Sequence, residues 1–367
     1  MPLLDLHAHF PMHTRFPPAV TQGPPPVGKE LEFFVANQLF NYQGGRPRVT
    51  LAELIAGADG GIGSVLYDPD DEFFHDDVPV PGAFQNLLAQ MQAVEDEVQG
   101  KVVVARNPDQ VRTCLQNDQR FLFHCVEGAF ALGGNVANVD TLANRGVAYV
   151  VIAHLFYRGV ATCQNAFPFV PDPVFAALLN PQQDPTVGLT ALGRDIVDRL
   201  LQNRVLVDIT HATDLAQNQI FDMAKAHNAP VISSHNGVRG TSNYPLNLNQ
   251  DAILRIAESK GLIGIILFPY WLRQPLDQVF ARDGFSLMFD AIDYIATVTG
   301  TYKNIAIGSD LDGFIHPIQG CADYSQTPAL AAAIRAKYPA AADQILWRNA
   351  LDVLERWWKG VPSAPPS

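Results

Sequence analysis

Short apolar runs rich in Val, Ile and Leu recur along this chain and alternate with longer segments of helical period. The clearest runs are Leu3–Leu6, Ile62–Leu66, Phe121–Val126, Val147–Ile152, Val205–Ile209, Pro230–Ser233, Leu262–Phe268 and Ile305–Ile307. Unbroken apolar runs of this kind suit strands buried on both faces, as in parallel sheets. Helices are expected between them, at Ala191–Asn203, Ala212–His227, Gln250–Lys260 and Ser286–Thr299. Eight strand–helix units predict an α/β chain closed as a (β/α)8 TIM barrel rather than an open doubly wound sheet. Val102–Val104 is expected as a ninth, accessory strand. With 367 residues, a single barrel domain over 1–360 is expected. Residues 11–60 would be inserted near the mouth, as a proline-rich extended loop over Pro11–Gly28 and then a helical cap. The tail 361–367 is expected to fray.

Composition narrows the function classes. Hydrophobic residues make up 48% and charged residues only 17%, which fits a large buried core. Lys and Arg number 25 against 37 Asp and Glu, and no basic run occurs, so nucleic acid is not an expected partner. No apolar stretch is long enough to span a membrane, and the start has no signal-peptide pattern. Cys114, Cys125, Cys163 and Cys321 lack CxxC spacing and read as buried thiols of a reduced compartment. A cytoplasmic protein acting on a small molecule is the expectation, with a homodimer possible through the C-terminal Trp347, Trp357 and Trp358 if these are not simply a packing face.

The chemistry sits where the runs end. The first closes on Asp5-Leu6-His7-Ala8-His9; alternate side chains of a strand share a face, so His7 and His9 point the same way. Glu127 follows Phe121–Val126, His154 follows Val147–Ala153, and His211 follows Val205–Thr210. His235 ends Ser233-Ser234-His235, and Asp310 lies in Gly308-Ser309-Asp310-Leu311-Asp312-Gly313. Catalytic residues of such barrels come from the C-terminal ends of several strands. One histidine at a strand end is commonly structural, but this convergence predicts a metal site. His13, His124, His227 and His316 fall outside the pattern, and His124 reads as a core histidine. Asp208 either orients a ligand or satisfies backbone donors, Asp5 is placed to cap a neighbouring loop, and the role of Asp312 stays open. Phe268-Pro269-Tyr270-Trp271 follows the seventh strand and would wall the pocket, with Tyr270 against an apolar acyl group.

Together with Gly188-Leu189-Thr190, Val207-Asp208-Ile209-Thr210-His211 and Ile232-Ser233-Ser234-His235, these stretches resemble the membrane (renal) dipeptidase family of metallopeptidases in the amidohydrolase superfamily. The resemblance implies a metal-dependent hydrolase barrel with two divalent metal ions, zinc (Zn2+) being expected. By the same resemblance, His7 and His9 would bind one ion and His211 and His235 the other, with Glu127 bridging. A metal-bridged hydroxide would attack an amide bond, Asp310 would shuttle its proton, and His154 would hydrogen-bond the tetrahedral intermediate.

Two departures from the family pattern stand out. His7-Ala8-His9 replaces the family's His-x-Asp, which makes the site less anionic and more nitrogen-rich. Leu246, in Tyr244-Pro245-Leu246-Asn247, stands where the family places an Arg for the substrate carboxylate; Arg239 is the nearby candidate to replace it. A dipeptidase or an N-acyl amino acid amidase is therefore expected. The alternatives are a lactonase, a one-metal decarboxylase, or an inactive metal-binding homologue.

Overall fold

The computed structural model describes residues 2–15, 27–42, 46–273 and 284–362. Nine parallel strands form among these residues: β1 (Pro2–Ala8), β2 (Asp59–Leu66), β3 (Val103–Val104), β4 (Phe121–Glu127), β5 (Tyr149–Val151), β6 (Leu206–Asp208), β7 (Val231–Asn236), β8 (Leu262–Ile265) and β9 (Ile305–Ile307). Each apolar run read from the sequence overlaps one of them. Eight strands close a ring in the order β1, β2, β4, β5, β6, β7, β8, β9, with the β1–β9 and β2–β4 pairings completing it. This is a (β/α)8 barrel.

β3 is the accessory strand. It pairs with β4 only at Phe121 and Leu122, near the start of that strand, while β5 takes the end of the same edge at Val126 and Glu127. Closure brings backbones very near one another around β7. A Cβ on Gly264 or on Gly308 would lie 1.8 or 1.7 Å from the Ser234 carbonyl oxygen, so neither position tolerates a side chain.

The expected helices appear as Ala191–Gln202, Asp214–Ala226, Gln250–Glu258 and Gly284–Thr299. Three start on side-chain caps, Thr190, Thr213 and Asn249, each accepting from a backbone N–H of the first turn. The insertion carries helices Glu30–Tyr42 and Leu51–Ala56, and β2 begins at Asp59, just inside the span read as inserted. The stretch expected as an extended loop instead opens with a 3-10 helix, Phe10–Arg15, because Thr14 and His13 fold back on the Pro11 and Phe10 carbonyls. The rest of that loop (16–26) and most of the expected frayed tail (363–367) lie outside the described residues.

Trp358 is buried and packs on Phe123 with ring centroids 6.0 Å apart, and Trp347 and Trp357 pack against the core. The C-terminal tryptophans thus form a packing face. All four cysteines are buried and free. Among the described residues no helix is long and apolar enough to cross a membrane.

Candidate metal centre

The candidate residues meet at the C-terminal mouth of the barrel. His7 lies within β1 and His9 one residue past its end, Glu127 is the last residue of β4, and His235 lies near the end of β7. His154, His211 and Asp310 stand in the loops directly after β5, β6 and β9. All seven are buried. Glu127 is the hub. Its Oε1 lies 3.4 Å from His7 Nε2 and 3.5 Å from both His211 Nε2 and His235 Nε2. Its Oε2 lies 3.1 Å from His9 Nε2 and 3.4 Å from His154 Nε2. Asp310 Oδ1 stands 3.2 Å from His9 Nε2 and 3.8 Å from His7 Nε2.

Two of these side chains are held on unusual backbone. His211 has φ 66° and Asp310 φ 58°, the left-handed region that costs a non-glycine residue of order 1–3 kcal/mol. Hydrogen bonds fix the conformation: the Asp310 N–H donates to the His7 carbonyl at 2.8 Å, and the Gln164 N–H donates to the His211 carbonyl at 2.7 Å.

The outer nitrogens are tied down. His7 Nδ1 lies 2.9 Å from the Tyr149 hydroxyl and 3.0 Å from Ser234 Oγ, which is also 3.0 Å from His235 Nδ1. The Tyr149 hydroxyl donates to the Leu6 carbonyl, so it accepts from His7 and leaves Nε2 as that ring's lone-pair nitrogen. His154 Nδ1 sits 2.6 Å from Glu72 Oε2, and Glu72 also accepts from the Tyr67 hydroxyl and the Phe156 N–H.

His211 Nε2 and His235 Nε2 lie 3.1 Å apart, while four other inner atoms have no hydrogen-bonding partner among the described residues. His7 Nε2, His9 Nε2 and both Glu127 oxygens are buried and unsatisfied. Buried polar groups are normally paired, and a cluster of orphaned imidazole nitrogens around an orphaned carboxylate has the donor set of a divalent metal site. Three ligand groupings fit within 4.8 Å: His7, His9 and Asp310; His7, Glu127 and His235; and Glu127, His154 and His211. Asp310, read from the sequence as a proton shuttle, therefore also stands at ligand distance.

Electrostatics favour the same use. Burial pushes the His7, His211 and His235 pKa values down, so these rings are neutral with lone pairs available. Burial alone would raise the Glu127 carboxyl, but the imidazoles around it, His154 first, hold it well below the usual carboxylate range. Burial would also lower His9, yet its contacts with Asp310 and Glu127 push it up to about 10. His154 is raised against its burial by the charges of Glu127 and Glu72.

Asp5, Asp208 and Asp312 sit behind the ligands as buried carboxylates. Asp5 accepts from the His7 and Ser309 N–H groups, and Asp208 from the Thr210 N–H and hydroxyl and the Ser234 N–H. Asp312 accepts from the Arg48 and Val49 N–H groups and so anchors the end of the insertion.

A cavity of about 390 Å³ opens above this floor, with His154, His211 and Asp310 at its base and rings such as Phe268, Trp271 and Phe314 in its walls. Two expected substrate contacts lie off this lining. Arg239 donates a two-pronged fork to Asp214 at 2.7 and 2.8 Å and bonds the Pro245 carbonyl, so its guanidinium is already paired. Tyr270 is buried between Phe169 and Phe268, at ring centroids 4.9 and 5.3 Å away, and backs the wall rather than facing the cavity. Glu72, Tyr149 and Ser234 were not singled out by the sequence.

A parallel (β/α)8 barrel with a histidine–carboxylate centre for divalent metal at its C-terminal mouth defines the class of protein. Within that class the chain belongs to the membrane dipeptidase family, peptidase family M19, whose model matches residues 1–359. It is 28% identical over 205 residues to an uncharacterized dipeptidase, C3A11.10c, of Schizosaccharomyces pombe, covering 56% of this chain and 45% of the relative. It is 26% identical over 206 residues to dipeptidase aclJ of Aspergillus oryzae, covering 56% and 43%. The aligned regions thus span less than half the length of these two relatives. Among solved structures, a metallo peptidase from Rhodobacter sphaeroides liganded with a phosphinate mimic of the dipeptide L-Ala-D-Ala superposes with a TM-score of 0.74 at 21% identity, covering 98% of this chain and 99% of that one. The dipeptidase AC metallo peptidase gives a TM-score of 0.73 at 22% identity, covering 98% and 99%.

Proposed function

We propose that this protein hydrolyses an amide bond of a dipeptide or a related N-acyl compound at a centre of two divalent ions, zinc being favoured by the nitrogen-rich donor set. The observation that carries the reading is the convergence of orphaned imidazole nitrogens on the two oxygens of Glu127. One carboxylate with separate imidazoles around each oxygen suits a bridge: His7, His9 and Asp310 would hold one ion, and His211 and His235 the other. Bound ions would supply Lewis acidity and lower the pKa of a water held between them.

The chain's own residues account for the remaining steps. Asp310, 3.2 Å from His9 Nε2 and on the lining of the cavity, is placed to take a proton from the attacking water and return it to the leaving amine. His154 Nδ1 is hydrogen-bonded to Glu72, which aims Nε2 at the site; with its pKa raised by the Glu127 and Glu72 charges, the protonated ring would donate from Nε2 to the oxygen of the carbonyl under attack. Glu72 acts through His154 and is a positioning residue.

The test joins elemental analysis to a hydrolysis screen of dipeptides and N-acyl amino acids. Close to two metals per chain and turnover of at least one such amide are expected. Asp310→Asn should lower kcat by roughly a hundredfold or more while ligand loss stays partial. At most one metal per replete chain, with full activity in Glu127→Gln, would sink the bridged centre.

A further inference from the structure

We propose that this site selects substrates carrying a bulky uncharged apolar or aromatic group beside the scissile amide and does not require a free carboxylate on them. The proposal rests on the hydrolase reading above and concerns the walls of the cavity rather than its floor. Rings supply those walls: Phe167, Phe169, Phe268, Trp271 and Phe314, with Phe34 contributed by the inserted helix Glu30–Tyr42. No lysine or arginine appears among the described lining residues; the ionisable ones, His154, His211 and Asp310, all belong to the reactive floor. Arg239 is paired with Asp214, and Leu246 is buried in the core. Against these described rings, which offer no counter-charge, a substrate carboxylate leaving the floor would lose its water, which is unfavourable for any ion.

The rim points the same way. Phe34 is 59% and Phe169 57% exposed, on different elements at the opening of the same cavity. Large rings held in water beside a pocket mark a contact surface for something apolar. Phe169 is already placed, edge-on to Tyr270 with an interplanar angle of 74°. Because the rim is continuous with the reactive floor, its occupant is the substrate's own apolar group. A cavity of about 390 Å³ is of the size that encloses a small organic ligand.

The experiment compares kcat/KM of the metal-replete protein for Gly-Gly, Phe-Leu and Phe-Leu amide. Phe-Leu and its amide should lie within a few-fold of each other and exceed Gly-Gly by on the order of a hundredfold. Phe169→Ala, with Phe34→Ala as a second variant at an exposed position, should narrow that preference by about tenfold through KM. Equal rates for Gly-Gly and Phe-Leu, a strong requirement for the carboxylate, or an unchanged preference in both variants would overturn the proposal. Should the metal-loaded protein cleave no peptide at all, the hydrolase reading falls instead. Calorimetric binding of Phe-Leu amide against Gly-Gly amide, in the parent and in Phe169→Ala, then decides the pocket by itself: selective binding weakened by the variant supports it, and equal binding ends it.

Discussion

A Cβ on Gly313 would lie 2.0 Å from Asp310 Oδ1, so this glycine makes room for the carboxylate that faces His9. In Gly313→Ala the clash falls on a movable side chain, not on backbone, and Asp310 must turn away. We expect kcat/KM to drop by on the order of tenfold or more with little change in Tm; an unaltered rate would mean that the Asp310 position seen here is not the reactive one. His9 carries a second prediction. With the Asp310 and Glu127 carboxylates pushing its pKa up to about 10, the ring stays protonated at neutral pH until a cation displaces that proton. Metal uptake at pH 7 should therefore release about one proton from this ring, and metal affinity should rise with pH up to the region of that pKa. Calorimetry in buffers of differing ionisation enthalpy measures the release, and His9→Gln should abolish that share of it. The clustering of the seven candidate residues was legible because each stands at or just beyond the end of an apolar run. Glu72 was not: Asp68-Pro69-Asp70-Asp71-Glu72 reads as an ordinary capped helix start rich in acids, and nothing local says that its last carboxylate turns inward to His154. Tyr149 was hidden for the opposite reason, as a polar atom inside an apolar strand, and Ser234 as one of two adjacent strand hydroxyls with nothing to mark it out.

At the scale of elements, the insertion is tied to the C-terminal end of β9 chiefly through Asp312. Asp312 accepts from Arg48 N at 2.9 Å and Val49 N at 2.8 Å, and Tyr324 N returns a bond to the Arg48 carbonyl, so 46–50 is stitched to the loop that carries Asp310. Burial raises the Asp312 carboxyl to about 6, above the ordinary carboxylate value expected in the unfolded chain. A raised folded-state pKa gives stability that is full below the unfolded pKa and is lost as pH rises through the folded one. In metal-free protein, the stability of the parent relative to Asp312→Asn should therefore fall by about 1 kcal/mol between pH 5 and pH 7.5. Denaturant unfolding at the two pH values checks this, and an opposite slope would place the titration elsewhere. Strands and helices were legible because both periods are strong in the sequence. Which runs become staves was less so. Val103–Val104 is as apolar as its neighbours, yet β5 occupies the β4 edge above it, and only three-dimensional closure decides that competition.

Across the whole molecule, the two ends of the barrel are built for different work. The N-terminal end is closed by the helix Asn349–Trp357: Asn349 bonds the Tyr302 and Ile305 carbonyls, Arg204 bonds the Arg356 and Trp357 carbonyls, and Trp358 fills in behind Phe123. The C-terminal end instead buries His7, His9, His154, His211 and His235 with Glu127, leaves polar atoms unpaired, and holds His211 and Asp310 on left-handed backbone. Such a mouth is costly without cations, and its stability should depend on them, whereas that of the opposite end should not. A ligand that binds only the folded state stabilises it by about 2.7 kcal/mol at a hundred times its Kd, so chelation should lower Tm by several degrees in a manner that added zinc reverses. Hydrogen exchange locates the effect. On chelation, amides of the loops bearing His154, His211 and Asp310 should exchange faster, while the base of β4 and the helix Asn349–Trp357 keep their protection. Uniform loss of protection would mean that the centre holds the whole barrel together. No change in Tm or exchange would mean that no ion is held here, and the dinuclear reading would then have to be abandoned.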